Sequence, residues 1–167
     1  MALLGLVIHK TRRFASQPVF TLGWSLPIWL LLGLARAVVL AVPFRKLAPV
    51  LGWDGGIAPW SPVLSAEQQD RAMQIGRAIR TMAPYTPWES NCFAQALTAR
   101  FMLGLYRLPY VIYFGLKRSA TGVEMDAHSW VATGAVPVTG GASFGEYTTV
   151  AIYASRRLEK QRNLTRV

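Results

Sequence analysis

The chain has 167 residues, 52% of them hydrophobic and only 16% charged, with a formal net charge of +10. That apolar fraction excludes a disordered polar chain, and the length suits one domain with its own core. The positive balance favours an anionic partner, whether acidic peptide, acidic protein, anionic lipid or nucleic acid, and charge alone does not choose among them.

Residues 1–13 are short and basic, with Lys10, Arg12 and Arg13. From Phe14 to Ala35 no charged residue occurs. The uncharged run reaches the ~20 residues that a membrane span needs, but Pro27, Arg36 and the Gln17-Pro18 pair interrupt it. Three readings follow: a helix packed on the domain or lying on a membrane surface through residues 19–46, a span, or a signal peptide. On such a helix Leu22, Leu26, Leu30 and Leu34 recur on one face and offer either core packing or a docking surface. PFRKLAPVLGW, 43–53, reads as a short amphipathic helix that Pro43 opens and Gly52 closes. The Gly- and Pro-rich WDGGIAPWSP, 53–62, reads as a linker. It divides an apolar, basic helical region over 1–52 from a core over 63–155, with a basic tail over 156–167.

Ser65 to Gln68 forms a capping-box pattern, and Ala72, Ile75, Ile79 and Met82 recur at helical spacing behind it. Pro84 stops that helix. Ser90 is the expected N-cap of the next, with Phe93, Leu97, Phe101 and Met102 inward and Gly104 at its close. The pattern then changes. PYVIYFGL (109–116), AHSWVAT (127–133), VPVT (136–139) and YTTVAIYA (147–154) read as strands. Helices first and an antiparallel sheet afterwards make an α+β plan.

The chain has one cysteine, Cys92, and two histidines, His9 and His128. One cysteine excludes an intrachain disulfide and a multi-thiolate zinc site, and makes a reducing, cytoplasmic setting the simplest one. No CxxC, HExxH, phosphate-loop or dinucleotide-binding motif occurs, so neither metal nor cofactor is expected. Cys92 falls in the first turn of its helix, where backbone N–H groups lack partners and the dipole favours negative charge. A nucleophilic thiol belongs in such a place, and an imidazole from a neighbouring strand can serve as its base. Free cysteine is also among the most buried residue types, so a space-filling thiol is the competing reading.

The string W-x-S-x-C-F-x-x-A-L-x-x-R over 88–100 is followed by IYFGLKR, AHSWV, PVTGG and YTTVAIY. In that order these motifs resemble the transglutaminase-like leader peptidase of lasso-peptide biosynthesis, the protease half of the split lasso B protein. The family has a cysteine opening a helix before an A-L pair, a strand of the form LVIGV and an AHAWVE motif. Cys92, Ala96-Leu97, Val111–Leu116 and Ala127–Val131 take those places, and PFRKLAPVLG resembles the family's LPFRRLARLLG. The resemblance implies a papain-like core with Cys92 as nucleophile and His128 as general base and acid. It implies a leader peptide as substrate, with a small leader-recognition protein and a synthetase-like lasso cyclase as partners. Many relatives carry an aspartate about a dozen residues after the histidine, where VPVTGG has no acid. Asp126 and Glu146 are the nearest candidates for that role, with a backbone carbonyl or Thr139 as substitutes. Trp88 and Trp130 are candidate cleft residues or core aromatics. An acyl-transferring transglutaminase-like enzyme would use the same pair. A basic, membrane-associated adaptor without catalysis would need neither. Nucleic acid is not expected as a partner, since no RNA-binding motif accompanies the charge.

Overall fold

A computed structural model describes residues 17–57, 61–119, 124–141 and 145–158. The basic start over 1–13 and the tail beyond residue 158 lie outside the described residues. Helix α1 spans Val19–Ala41, α2 Phe44–Leu51, α3 Ala66–Met82 and α4 Cys92–Leu105. Strands β1 (Trp53–Gly56), β2 (Val111–Arg118), β3 (Met125–Thr133), β4 (Val136–Thr139) and β5 (Thr148–Ala154) form one antiparallel sheet, in the order β1-β5-β2-β3-β4. The α+β plan expected from the periodicities is the plan found.

The segment read as a linker contributes the edge strand β1, whose Trp53 and Asp54 pair with Ala154 and Tyr153 of β5. A four-residue strand rich in glycine has little local signal; its partner strand supplies the order. Helix α3 starts on the expected capping box: Ser65 Oγ accepts from the Gln68 N–H, and Gln68 Oε1 accepts from the Ser65 N–H. Along α3, Ala72, Ile75, Ile79 and Met82 are buried, as their spacing predicts. In α4, Met102 is buried but Phe101 is 49% exposed, so the expected inward set is one residue too wide.

The sheet has a helical face and an outer face. Ile112, Val131 and Val138 pack against Ile28 and Leu32 of α1, Ile79 of α3 and Met102 of α4. Val111, Tyr113, Trp130, Ile152 and Leu158 make a second cluster on the outer face. Successive strand residues point to opposite faces, and that alternation divides the two clusters.

Helix α1 is 23 residues long and apolar enough to cross a membrane by length and composition. It is docked here along one stripe, with Thr21, Ile28, Leu32 and Ala35 buried. Trp24 Nε1 donates to the Tyr106 hydroxyl at 2.9 Å, and Arg36 meets Glu89 at 2.8 Å. Gly33 allows a close approach: a Cβ there would lie 2.6 Å from the Trp88 ring. Leu26, Leu30 and Leu34 are 65%, 56% and 62% exposed, so the leucine face of the helix is turned outward.

Removing the α3 cap tests how much this local device matters. Ser65→Ala is expected to lower unfolding stability by about 1 kcal/mol, read from urea midpoints, without changing the slope of the transition.

Candidate active site

The helix that carries the cysteine begins one residue later than expected. Asn91 is the N-cap, and its side chain accepts from the Ala94 N–H at 3.0 Å. Ser90 instead shares a 2.8 Å hydroxyl contact with Thr86, and its carbonyl accepts from Gln95 Nε2. Cys92 is therefore the first residue of α4. The Ala94 and Gln95 N–H groups are taken by Asn91. By helix geometry, the N–H groups of Cys92 and Phe93 are the ones left for a ligand.

Cys92 is half-buried and lines an open cleft of about 460 Å³. Phe44, Phe93 and Phe114 make its apolar wall, with ring centroids 5.2–5.9 Å apart. Ser129 and His128 of β3 border the same cleft. The thiol is thus not sealed in packing.

His128 is held from two directions. Its Nε2 lies 3.2 Å from the Gly140 carbonyl oxygen. That oxygen can only accept, so Nε2 carries the proton and Nδ1 is the basic nitrogen. Its ring stacks on Tyr147, with centroids 5.0 Å apart and planes 29° from parallel. The alternation of β3 places His128 with Trp130 on the outer face and Ser129 with Phe114 toward the helices. The imidazole therefore meets the cleft at its rim rather than its floor. Among the described residues no hydrogen bond joins it to the Cys92 sulfur.

Gly140 lies twelve residues after His128, where many relatives of the resembled family carry an acid. It has φ +82, and a Cβ there would sit 2.3 Å from Trp130 Cβ. Only glycine fits both demands, and that fit brings the carbonyl onto the imidazole. Of the residues considered for orienting the ring, it is the backbone that does so. Asp126 accepts a 2.8 Å hydrogen bond from the Tyr147 hydroxyl, and Glu146 pairs with Lys117 at 3.2 Å. Neither carboxylate is hydrogen-bonded to His128. Asp126 acts one step away, by holding the tyrosine that stacks on the ring; the same bond raises the Tyr147 pKa. Thr139 is buried with an unpartnered hydroxyl. Trp88 packs against α1 and Trp130 is 1% exposed in the outer core, so neither expected cleft aromatic lines the cleft.

One residue of the cleft had no role in the sequence reading. Ser129 is 2% exposed, and its hydroxyl has no hydrogen-bond partner. It stands where the resembled AHAWVE motif has alanine, and that departure is its only signal in the sequence. An unsatisfied buried hydroxyl costs on the order of 1–3 kcal/mol.

Residues 38–152 match the model of the transglutaminase-like superfamily. The chain belongs to that superfamily. No curated protein and no solved structure matches it. The matched span begins in α1 and ends in β5, so it holds Cys92, His128, Gly140 and the cleft. A transglutaminase-like domain carries cysteine-peptidase or acyl-transfer chemistry, in which a thiol forms a thioester and either water or an amine receives the acyl group.

Two outcomes test the site. Ser129→Ala is expected to leave thermal stability unchanged or slightly raised, read by melting, because it removes a buried unsatisfied hydroxyl. Gly140→Ala is expected to cost on the order of 2 kcal/mol or more of stability, from φ strain and the clash with Trp130, read from denaturant midpoints.

Proposed function

We propose that the chain is a cysteine peptidase that removes the leader from a ribosomally made lasso-peptide precursor. The observation that carries the reading is the position of Cys92, the first residue of α4, facing an open apolar cleft bordered by the one histidine of the superfamily span. The ordered motifs around both residues support the finer substrate assignment.

In this account the Cys92 thiolate attacks the carbonyl at the end of the leader. The oxyanion forms beside the N–H groups of Cys92 and Phe93. His128 takes the thiol proton on Nδ1 and returns it to the leaving amine, which departs as the free amino terminus of the core peptide. Water then attacks the thioester, His128 takes its proton, and the leader leaves as a carboxylate with the thiol restored. Gly140 keeps Nε2 protonated throughout, and Tyr147 holds the ring plane. The thiol and the imidazole must close onto each other for the first proton transfer, a tightening that catalytic contacts commonly undergo when substrate binds. A leader-recognition protein and a synthetase-like cyclase are the proposed partners.

A second reading rests on the same gap between sulfur and ring. A family member without catalysis would use the cleft to hold a peptide and would need no closure. The test is cleavage of a synthetic precursor followed by mass spectrometry. Cys92→Ala and His128→Ala are each expected to reduce cleavage at least a thousandfold, and Glu146→Gln less than threefold. Asp126→Asn is expected to fall between them, because it loosens Tyr147 rather than the ring itself. Cleavage unchanged in Cys92→Ala contradicts the peptidase, and peptide binding without cleavage by the wild type supports the second reading.

A further inference from the structure

A second cavity lies away from the cleft, at the other end of α4. It has a volume of about 540 Å³ and is bordered by Pro49, Arg100, Tyr110, Ser155, Arg156 and Arg157. Three arginines border one cavity, and among the described residues no carboxylate lines it. Among the described residues none of the three makes an ion pair. Arg100 is half-buried, and its Nε is buried without a hydrogen-bond partner. Like charges gathered in this way repel one another, and an anion between them would turn repulsion into charge-assisted hydrogen bonds.

The remaining polar groups are prepared in the same sense. The Tyr110 hydroxyl donates to the Leu51 carbonyl at 2.9 Å, which fixes it in the wall. Burial raises its pKa, while Arg100 and Arg156 pull it back down, so both cations act at that point. The Ser155 hydroxyl accepts from the Tyr110 N–H, which leaves its own proton to donate. A bidentate acceptor, carboxylate or phosphate, fits this donor set.

Helix α2 connects the cavity to the cleft. Phe44 at its start lines the cleft, and Pro49 and Val50 near its end line the cavity. Along α4, Arg100 and Gly104 of the cavity lie eight and twelve residues beyond Cys92, about 12–18 Å, a distance that about four to six extended residues cover.

We propose that this arginine cavity is an anchoring site for an acidic side chain of the peptide substrate, placed about four to six residues from the bond that Cys92 attacks. The assignment rests on the peptidase reading for the identity of the substrate, but the binding it requires is independent of catalysis. It is therefore tested on the full chain carrying Cys92→Ala, with fluorescein-labelled hexaglutamate as probe and anisotropy as readout. Hexaglutamate is expected to bind, and hexaglutamine to bind at least tenfold more weakly. Arg100→Gln and, separately, the exposed pair Arg156→Gln with Arg157→Gln are expected to weaken hexaglutamate at least tenfold. Arg45→Gln with Lys46→Gln, an equal loss of charge elsewhere, is expected to change it less than threefold. Melting temperatures confirm that each variant is folded, and the surface pair keeps the test valid if Arg100→Gln is not. Equal weakening by both double variants means non-specific attraction and overturns the proposal. So does inorganic phosphate binding in the cavity while hexaglutamate does not, which would make it a phosphate site. Hexaglutamate binding as proposed, with no precursor cleavage by the wild type, would keep the acidic-peptide site and remove the peptidase.

Discussion

Side-chain alternation along β3 is the constraint on which the rest of the site depends. Trp130 is buried in the outer cluster, stacked on Tyr113 with centroids 5.5 Å apart. With that ring in place, residues 128 and 130 share the outer face and residues 129 and 131 face the helices. A one-residue slip would turn His128 toward α4 and put Val131 on the outer face. The anchoring of Trp130 thus determines both where the imidazole stands and which residue borders the cleft from the helical side.

Gly140 completes that arrangement by a backbone route. Its positive φ and lack of a Cβ let the chain lie against Trp130, and its carbonyl then meets Nε2 of His128. A carboxylate in that role stabilises an imidazolium by charge as well as by orientation. A carbonyl supplies orientation and the correct tautomer with a weaker field. The tyrosine stack and the Asp126 bond behind it add a second restraint on the ring. The site therefore has a defined base nitrogen, a thiol at a helix start and unengaged N–H groups beside it, all at the edge of one cleft.

Much of this is legible in the sequence, and the exceptions have physical causes. The capping box of α3 and the switch to β-branched, aromatic runs after residue 108 are local signals, and the elements follow them. The start of α4 differs by one residue because Ser90 and Asn91 are both good N-caps, and only tertiary contacts choose between them. Strand β1 hides in a Gly- and Pro-rich stretch because its order comes from β5. Period-two spacing puts His128 and Trp130 on one face, but which face the helices cover is decided by packing far along the chain. The missing acid shows plainly in VPVTGG. Its replacement does not, since a carbonyl oxygen belongs to every residue and leaves no side-chain signal.

The direct test of the account is a crystal structure of the protein with a peptide aldehyde bound covalently to Cys92. The account predicts a hemithioacetal oxygen beside the Cys92 and Phe93 N–H groups. It also predicts His128 Nδ1 within roughly 3–4 Å of the sulfur or that oxygen, with Nε2 still on the Gly140 carbonyl. An adduct in which the imidazole stays on the outer face, out of reach of the sulfur, would contradict His128 as the base.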